Sequence, residues 1–186
     1  MFAHHQHFQE FYNIQNNYRD KQLVFETEGV ACIDLAGHTL SSSARVFQVG
    51  EDETTPNSVL NVYDSVGGGT IKGKGSTNNS WSGGSFYIEP AGTVNFYSGT
   101  LTTSNPATQT AGKGAVGTVC GTLNLYGGQV IGGTAYSYGG VFWIPAGGAV
   151  NLAGGTVTDG TAPTAAPQTG AATQSKDEII AIFNEA

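Results

Sequence analysis

The sequence predicts an all-β fold, a parallel β-helix of about five coils with short flanking helices. Three observations predict it: an excess of glycine, an eight-residue pattern that recurs along the chain, and a second strand-like segment within the repeats. Glycine makes up 28 of the 186 residues, about twice its usual share of ~7%. Such a composition disfavours helical bundles and coiled coils, because glycine weakens helices.

The recurring pattern begins apolar–polar–apolar and passes through a turn to a further apolar residue. It occupies residues 33–40, 94–101, 123–130 and 150–157 without gaps, and residues 60–71 with a four-residue insertion. The copies recur every 27 to 34 residues, which is typical of solenoids, whose repeats pack only against their neighbours. The alternation within each copy, and the second segments near residues 46–49, 86–88, 116–120 and 141–144, indicate strands.

Stacked coils lie ~4.8 Å apart, so equivalent residues fall over one another. Three apolar columns result: Ile33, Leu60, Val94, Leu123 and Val150; Leu35, Val62, Phe96, Leu125 and Leu152; and Leu40, Ile71, Leu101, Val130 and Val157. Strand alternation directs the first two columns inward. It directs two columns outward: Asp34, Asn61, Asn95, Asn124 and Asn151, and beside them Ala36, Tyr63, Tyr97, Tyr126 and Ala153.

The two cysteines, Cys32 and Cys120, precede the first and fourth copies of the pattern. Three coils, or ~14 Å, then separate them, which exceeds the Cα reach of a disulfide. We expect two free, buried thiols.

The β-helix is expected over residues 29–160, with different material at both ends. In residues 1–28, apolar side chains between Phe8 and Tyr18 recur at helical spacing, which predicts a helical cap over about residues 5–20. Residues 161–174 are rich in Thr, Ala and Pro and are predicted to be a linker. Residues 175–186 begin with a capping box before an apolar run and are predicted to form a short helix.

Three segments carry a resemblance to a known family. Residues 32–40, residues 84–88 with 99–102, and residues 140–144 with 155–158 resemble the coils of pectin-lyase-like right-handed β-helices in bacterial secreted and surface proteins. The resemblance covers about residues 29–160 and implies a right-handed helix and an extracellular or cell-surface location. Polysaccharide lyases of this fold typically use acidic calcium ligands and a basic residue, and the predicted strands of this chain contain no such cluster.

Tyr63, Tyr97 and Tyr126 form the most interesting predicted surface, next to Asn61, Asn95 and Asn124. Flat aromatic faces beside amide groups suit sugars, which stack on rings and hydrogen-bond to amides. The alternative is that the tyrosines only furnish a β-surface and stack on one another.

Glu51, Asp52 and Glu53 form the acidic run of a predicted loop. Calcium is the ion that such a loop would take, together with Asp64 or a main-chain carbonyl. The alternative is a solvated loop without a ligand, and no cofactor is otherwise expected.

These observations predict a structural or adhesive module of a bacterial surface or secreted protein, with a polysaccharide or host-surface glycan as its partner. With only seven Lys and Arg residues and a net charge of −7, no nucleic-acid partner is expected. No apolar run approaches the ~20 residues of a membrane helix, and no signal peptide is visible, so we expect the chain to be a fragment of a longer protein.

Two alternatives remain open for the function: a truncated polysaccharide lyase or glycoside hydrolase domain, and a passive spacer. Glycoside hydrolysis needs two carboxyl groups at one bond. Glu89 and Asp159 are the only acidic residues in the range 65–175, and more than two coils separate them. We therefore expect no enzymatic activity.

Overall fold

The computed structural model describes residues 9–13, 18–19, 22–25, 28–50, 57–74, 83–107, 109–158, 160–162 and 171–173. Within these ranges the chain forms strands and turns and no helix. All the strands pair in parallel with strands of neighbouring coils, so the chain is an all-β parallel solenoid of about four turns. The predicted all-β parallel solenoid is confirmed, with about four turns where about five were predicted.

Three parallel sheets run along the solenoid. Sheet A contains β1 (Gln9–Asn13), β4 (Gly29–Asp34), β7 (Ser58–Tyr63), β10 (Gly92–Phe96), β14 (Thr122–Leu125), β18 (Ala149–Leu152) and β20 (Ala171–Thr173). Sheet B contains β2 (Tyr18–Arg19), β5 (Thr39–Ser42), β8 (Thr70–Gly73), β11 (Thr100–Thr103), β15 (Gln129–Ile131) and β19 (Thr156–Thr158). Sheet C contains β3 (Leu23–Phe25), β6 (Phe47–Val49), β9 (Phe86–Ile88), β13 (Gly117–Val119) and β17 (Phe142–Trp143). A two-stranded sheet of β12 (Gln109–Lys113) and β16 (Thr134–Tyr138) lies between sheets B and C along the chain.

The predicted column that begins at Leu40 is present from the first copy of the repeat, since Leu40 pairs with Ile71. The other two predicted columns are present from the second copy onward. Val94 lies between Leu60 and Leu123, and Leu101 lies between Ile71 and Val130. Most of the column residues are fully buried and belong to one continuous core. Burying a side chain of this size stabilises the fold by about 1.5–3 kcal/mol, so stacking the coils provides the core that a single repeat lacks.

In sheet A, the first copy of the repeat departs from the predicted register by two residues. Ile33 pairs with Val62 rather than with Leu60, and Asp34 pairs with Tyr63 rather than with Asn61. A slip of two residues leaves every side chain on its original face, so the inward and outward pattern is unchanged. The slip brings Asp34 within hydrogen-bonding distance of the Ser65 main chain, in the inserted turn that no other copy has.

On the inward face of sheet C, Gly117 leaves space for the ring of Phe86. The Phe47 and Phe86 rings stack with centroids 5.5 Å apart, and the Phe86 and Phe142 centroids are 5.9 Å apart. Gly117 is paired with both Phe86 and Phe142, and a Cβ atom at Gly117 would overlap the Phe86 ring. The absent side chain lets one aromatic ring reach the next across an intervening coil.

The structure corrects the predicted ends. The helix expected over residues 5–20 is wrong for Gln9–Asn13 and Tyr18–Arg19, which are strands that pair with β4 and β5. A parallel strand satisfies the backbone groups along the edge of a sheet, whereas a helix bonds internally and leaves that edge unpaired. The predicted linker, residues 161–174, includes the strand Ala171–Thr173. The helix predicted over residues 175–186 lies outside the described residues.

Candidate functional site

The predicted asparagine residues form a hydrogen-bonded ladder on the outward face of sheet A. The Nδ2 atom of Asn95 donates to Oδ1 of Asn61 over 2.9 Å, and that of Asn124 donates to Oδ1 of Asn95 over 2.8 Å. Asn151 continues the ladder with a bond of 2.7 Å to Asn124. Cys32, not Asp34, occupies the first position, where its Sγ atom accepts a bond from Asn61 at 3.5 Å. Each inner amide thus uses one N–H and one lone pair of its carbonyl oxygen within the ladder.

The predicted tyrosines lie beside this ladder, where sheet A ends and the chain turns towards sheet B. The rings of Tyr97 and Tyr126 stack with centroids 5.0 Å apart and planes inclined by 15°. Their side chains are 46% and 49% exposed. Tyr63 is half-buried and pairs with Asp34 on its other side. Two of the three tyrosines therefore form an exposed aromatic pair.

Stacking decides which parts of the two rings a ligand can reach. Because the rings lie face to face along the solenoid axis, each covers one face of the other. The ring edges, the hydroxyl groups and the face of Tyr126 away from Tyr97 are left to solvent, whereas the outer side of Tyr97 faces the Tyr63 position of the preceding coil. A flat ligand can stack on this pair only at an outer face, whereas hydroxyl groups of a ligand can meet the ring edges and the asparagine amides.

Two carboxylates at the same corner hold the turns of neighbouring coils. Asp34 accepts hydrogen bonds from the main-chain N–H of Ser65 at 3.0 Å and from its hydroxyl at 2.7 Å. Asp64 accepts 2.7 Å bonds from the N–H groups of Gly37 and Gly69. The prediction that Asp34 belongs to the asparagine column is wrong, because the shifted register pairs Asp34 with Tyr63 and Cys32 with Asn61. Asp34 keeps its predicted face, and its side chain is covered by this arrangement. Both carboxylates bind the turns after β4 and β7, in the coils that precede those of Tyr97 and Tyr126.

The environment of these carboxylates shifts their acidity. Burial alone would raise the pKa of Asp34, but the bonds from Ser65 and Ala36 outweigh it and lower the pKa below the ordinary value. Burial likewise opposes the shift at Asp64, and bonds from four main-chain amides, including those of Gly37 and Gly69, lower its pKa. Both groups are therefore ionised at neutral pH and act as acceptors for the turns.

The outward face of sheet C carries a polar cluster that the sequence analysis missed. The guanidinium carbon of Arg45 lies 4.8 Å from the centroid of the Tyr87 ring, a cation–π contact. Gln48 donates to Oε1 of Glu89 at 3.1 Å, and the Cys120 thiol donates to the Tyr87 hydroxyl at 3.3 Å. The signal for this cluster was the second strand of each repeat, where Gln48 and Tyr87 occupy paired outward positions.

Burial sets the protonation states in this cluster. Burial and then the hydrogen bond with Cys120 raise the pKa of Tyr87. Burial also raises the pKa of the Cys120 thiol, against the bond with Tyr87 that lowers it. Burial lowers the pKa of Arg45, while Tyr87 and Glu89 oppose the shift. Tyr87 and Cys120 are thus protonated at neutral pH, so neither supplies an anionic nucleophile there.

A second cation–aromatic contact recurs further along the same sheet. The ammonium of Lys113 lies 4.4 Å from the Trp143 ring centroid and 5.9 Å from that of Tyr138. Arg45 lies in the turn before β6 and Lys113 at the end of β12, shortly before β13. Each cation covers an aromatic residue of the next coil. These contacts join consecutive coils on a face away from the Tyr97–Tyr126 pair.

The remaining predictions concern the cysteines, the acidic run and membrane-spanning segments. Cys32 and Cys120 are both free thiols, as expected, although Cys120 is only half-buried. Glu51, Asp52 and Glu53, predicted for calcium, lie outside the described residues. Elsewhere, the described ranges contain no group of three or more His, Cys, Asp or Glu side chains that could hold a metal ion. The same ranges contain no helix that is long and apolar enough to cross a membrane.

Comparison with known proteins yields no relative. No protein-family model matches the chain, and neither the curated proteins nor the solved structures include a match.

Proposed function

We propose that the chain is a structural and adhesive β-solenoid module that binds glycans on the outward face of sheet A. The observation that carries the proposal is the exposed, stacked Tyr97–Tyr126 pair beside the asparagine ladder. Rings offer apolar surface to sugar C–H groups and amides offer donors and acceptors to sugar hydroxyls. The resemblance to pectin-lyase-like repeats of bacterial secreted and surface proteins supports the same role.

The rigidity of this face favours binding. The strands below it pair on both sides, and the amide ladder fixes the asparagine side chains. A tyrosine side chain has only two rotatable angles, so little conformational entropy is lost when a ligand meets it. A preorganised surface binds more tightly than a flexible one of the same composition.

The test is a panel of immobilised polysaccharides, neutral and acidic, probed with the whole purified chain. The double variant Tyr97→Ala, Tyr126→Ala is compared with Tyr136→Ala, which removes a tyrosine that is 44% exposed on β16. We expect at least one glycan to bind the wild type and the control, and the double variant to lose at least about 1 kcal/mol of that binding free energy. Circular dichroism confirms that each variant is folded.

Two outcomes contradict the proposal. If the wild-type chain is folded and binds nothing in the panel, a passive spacer becomes the better interpretation. If new reducing or unsaturated chain ends appear in the polysaccharides, the chain is an enzyme rather than a binding module.

A further inference from the structure

The position one coil beyond Tyr126 belongs to Ala153. The main-chain N–H of Tyr126 donates to the carbonyl of Phe96, and that of Ala153 donates to the carbonyl of Leu125 in the same way. The following glycines repeat the match, because Gly127 packs against the Tyr97 carbonyl and Gly154 against the Tyr126 carbonyl. Ala153 therefore occupies the next position of the tyrosine column.

At this position the side chain of Ala153 is only a methyl group. Tyr126 has the Tyr97 ring on one face, and on the other face the next member of the column is a single exposed methyl group. The spacing between Tyr97 and Tyr126 demonstrates that a six-membered ring fits one coil away, at a centroid distance of 5.0 Å. A ligand ring at Ala153 would continue the ladder where the next tyrosine is missing.

The charges around this position indicate the class of ligand. The outward residues nearest to it on β14 and β18 are Thr122, Asn124, Ala149 and Asn151, and none carries a charge. Among the described cations, Arg45 and Lys113 lie against aromatic rings at sheet C. Lys72 and Lys74 lie in and directly after β8, which pairs with β5 and β11 and not with the coil of Ala153. A carboxylate or sulfate on the ligand would therefore find no counter-charge among these neighbours, whereas hydroxyl groups would find amides and threonine hydroxyls.

We infer that the outer face of Tyr126 above Ala153 is a subsite for one neutral pyranose ring of a glycan. The sugar stacks its C–H face on the phenol ring, and its hydroxyl groups face the asparagine side of sheet A. This inference rests on the proposed function and makes it specific: one sugar residue at a defined position, selected for lack of charge.

The test uses cellohexaose, β-1,4-mannohexaose and xylohexaose as neutral probes and hexagalacturonate as the acidic probe, with affinities from isothermal titration calorimetry on the full chain. Ala153→Leu fills the position with a branched aliphatic group that covers the Tyr126 ring, whereas Ala153→Ser keeps it small. Tyr126→Ala removes the ring, and Tyr136→Ala is the matched exposed control. Thermal unfolding of each variant establishes that it folds.

We expect a neutral probe to bind the wild type more tightly than hexagalacturonate does. Ala153→Leu and Tyr126→Ala should each weaken that binding about tenfold, which is the effect of ~1.4 kcal/mol. Ala153→Ser, which keeps the position small, should weaken it less than Ala153→Leu does, and Tyr136→Ala should leave it unchanged.

The failures of the two proposals are distinguishable. Full affinity in Ala153→Leu together with loss in the variant that lacks Tyr97 and Tyr126 would overturn the subsite and leave the glycan-binding face standing. Preference for hexagalacturonate would overturn the neutral ligand class. If no probe and no polysaccharide of the panel binds, both the subsite and the proposed function are wrong.

Discussion

Asp34 and Asp64 each hold the turn that follows the other. The Asp34 carboxylate accepts the N–H and hydroxyl of Ser65, directly after Asp64, and the Asp64 carboxylate accepts the N–H of Gly37, three residues after Asp34. The two coils are thus joined by reciprocal side-chain bonds in addition to the parallel strand pairing. This clamp forms one boundary of the tyrosine column, since Asp34 pairs with Tyr63.

Removing either half of the clamp should destabilise the fold. Asp34→Asn and Asp64→Asn each place an NH2 group or a neutral oxygen where main-chain donors need an anion. We expect each to lower the free energy of unfolding by about 1–3 kcal/mol, the usual cost of losing charged hydrogen bonds. Because the two groups share one structure, the double variant should lose less than the sum. Urea denaturation measures this, with Glu28→Gln as a control for an exposed carboxyl; an equal loss in the control would contradict the clamp.

The clamp should also make the stability of the folded state depend on pH. Both carboxyls have a folded-state pKa below the ordinary value of 3.8. Their stabilisation is therefore complete above that value and is lost as pH falls through the folded-state pKa. The difference in melting temperature between the wild type and the double variant Asp34→Asn, Asp64→Asn should be largest near pH 7 and shrink towards pH 2.5. A difference that is constant across this range would contradict the assignment.

Gly117 should be intolerant of a side chain because Phe86 lies over it. We expect Gly117→Ala to cost about 1–3 kcal/mol of unfolding free energy, as overpacked cores do. In a Phe86→Leu background the ring is gone, so the same change should cost less than in the wild type. A double-mutant cycle by denaturant unfolding measures the coupling, and zero coupling would mean that the two residues do not meet.

The middle of the asparagine ladder should reject a carboxylate. Asn95 donates to Asn61 and accepts from Asn124, so Asn95→Asp sets a carboxylate against the Asn61 carbonyl oxygen. We expect it to be more destabilising at pH 7 than Asn95→Ala, which costs about 1–3 kcal/mol as the partners lose their bonds. The excess should disappear when acid protonates the carboxyl. Thr93→Ala, on the same face of β10, is the control.

Extending the tyrosine column should stabilise the solenoid. Ala153→Tyr places a third ring in register with the Tyr97–Tyr126 stack, at a position that is exposed and free of backbone strain. An additional aromatic pair across strands contributes about 0.5–1.5 kcal/mol. Melting temperature should therefore rise relative to the wild type and to Ala153→Ser. A lower melting temperature would show that Ala153 does not continue the column.

Much of the fold could be predicted from the sequence because its signals are local. The repeat length set the stacking, and apolar alternation separated the columns of Leu123 and Leu125 from the asparagine column. Register in the first copy could not be predicted, since a slip of two residues keeps Ile33 facing inward in either position. The two registers differ in three-dimensional contacts, such as the bonds from Ser65 to Asp34 and from Asn61 to Cys32.

The ends of the solenoid and the arrangement of its surface side chains were harder to predict, because they also depend on contacts between coils. Apolar spacing between Phe8 and Tyr18 fits a helix, yet the need to pair the edge of β4 favours strands at Gln9–Asn13. In the candidate site, the sequence brought Tyr97 and Tyr126 together correctly. Stacking of the tyrosines on one another, the stated alternative to a sugar site, is present between Tyr97 and Tyr126. Strand alternation does not set the angle between the rings, because that angle depends on packing along the solenoid.

Glycan binding at the Tyr97–Tyr126 pair is tested most directly by nuclear magnetic resonance. The chain, labelled at its tyrosine residues, is titrated with the glycan that binds best, and the signals of the tyrosine rings are recorded. Single tyrosine variants assign the eight tyrosines. If glycans bind the tyrosine pair, the Tyr97 and Tyr126 signals shift with saturable dependence on glycan concentration, while those of Tyr87 and Tyr136 stay in place. Shifts confined to Tyr87 or Tyr136, with Tyr97 and Tyr126 unchanged, would contradict binding at the pair.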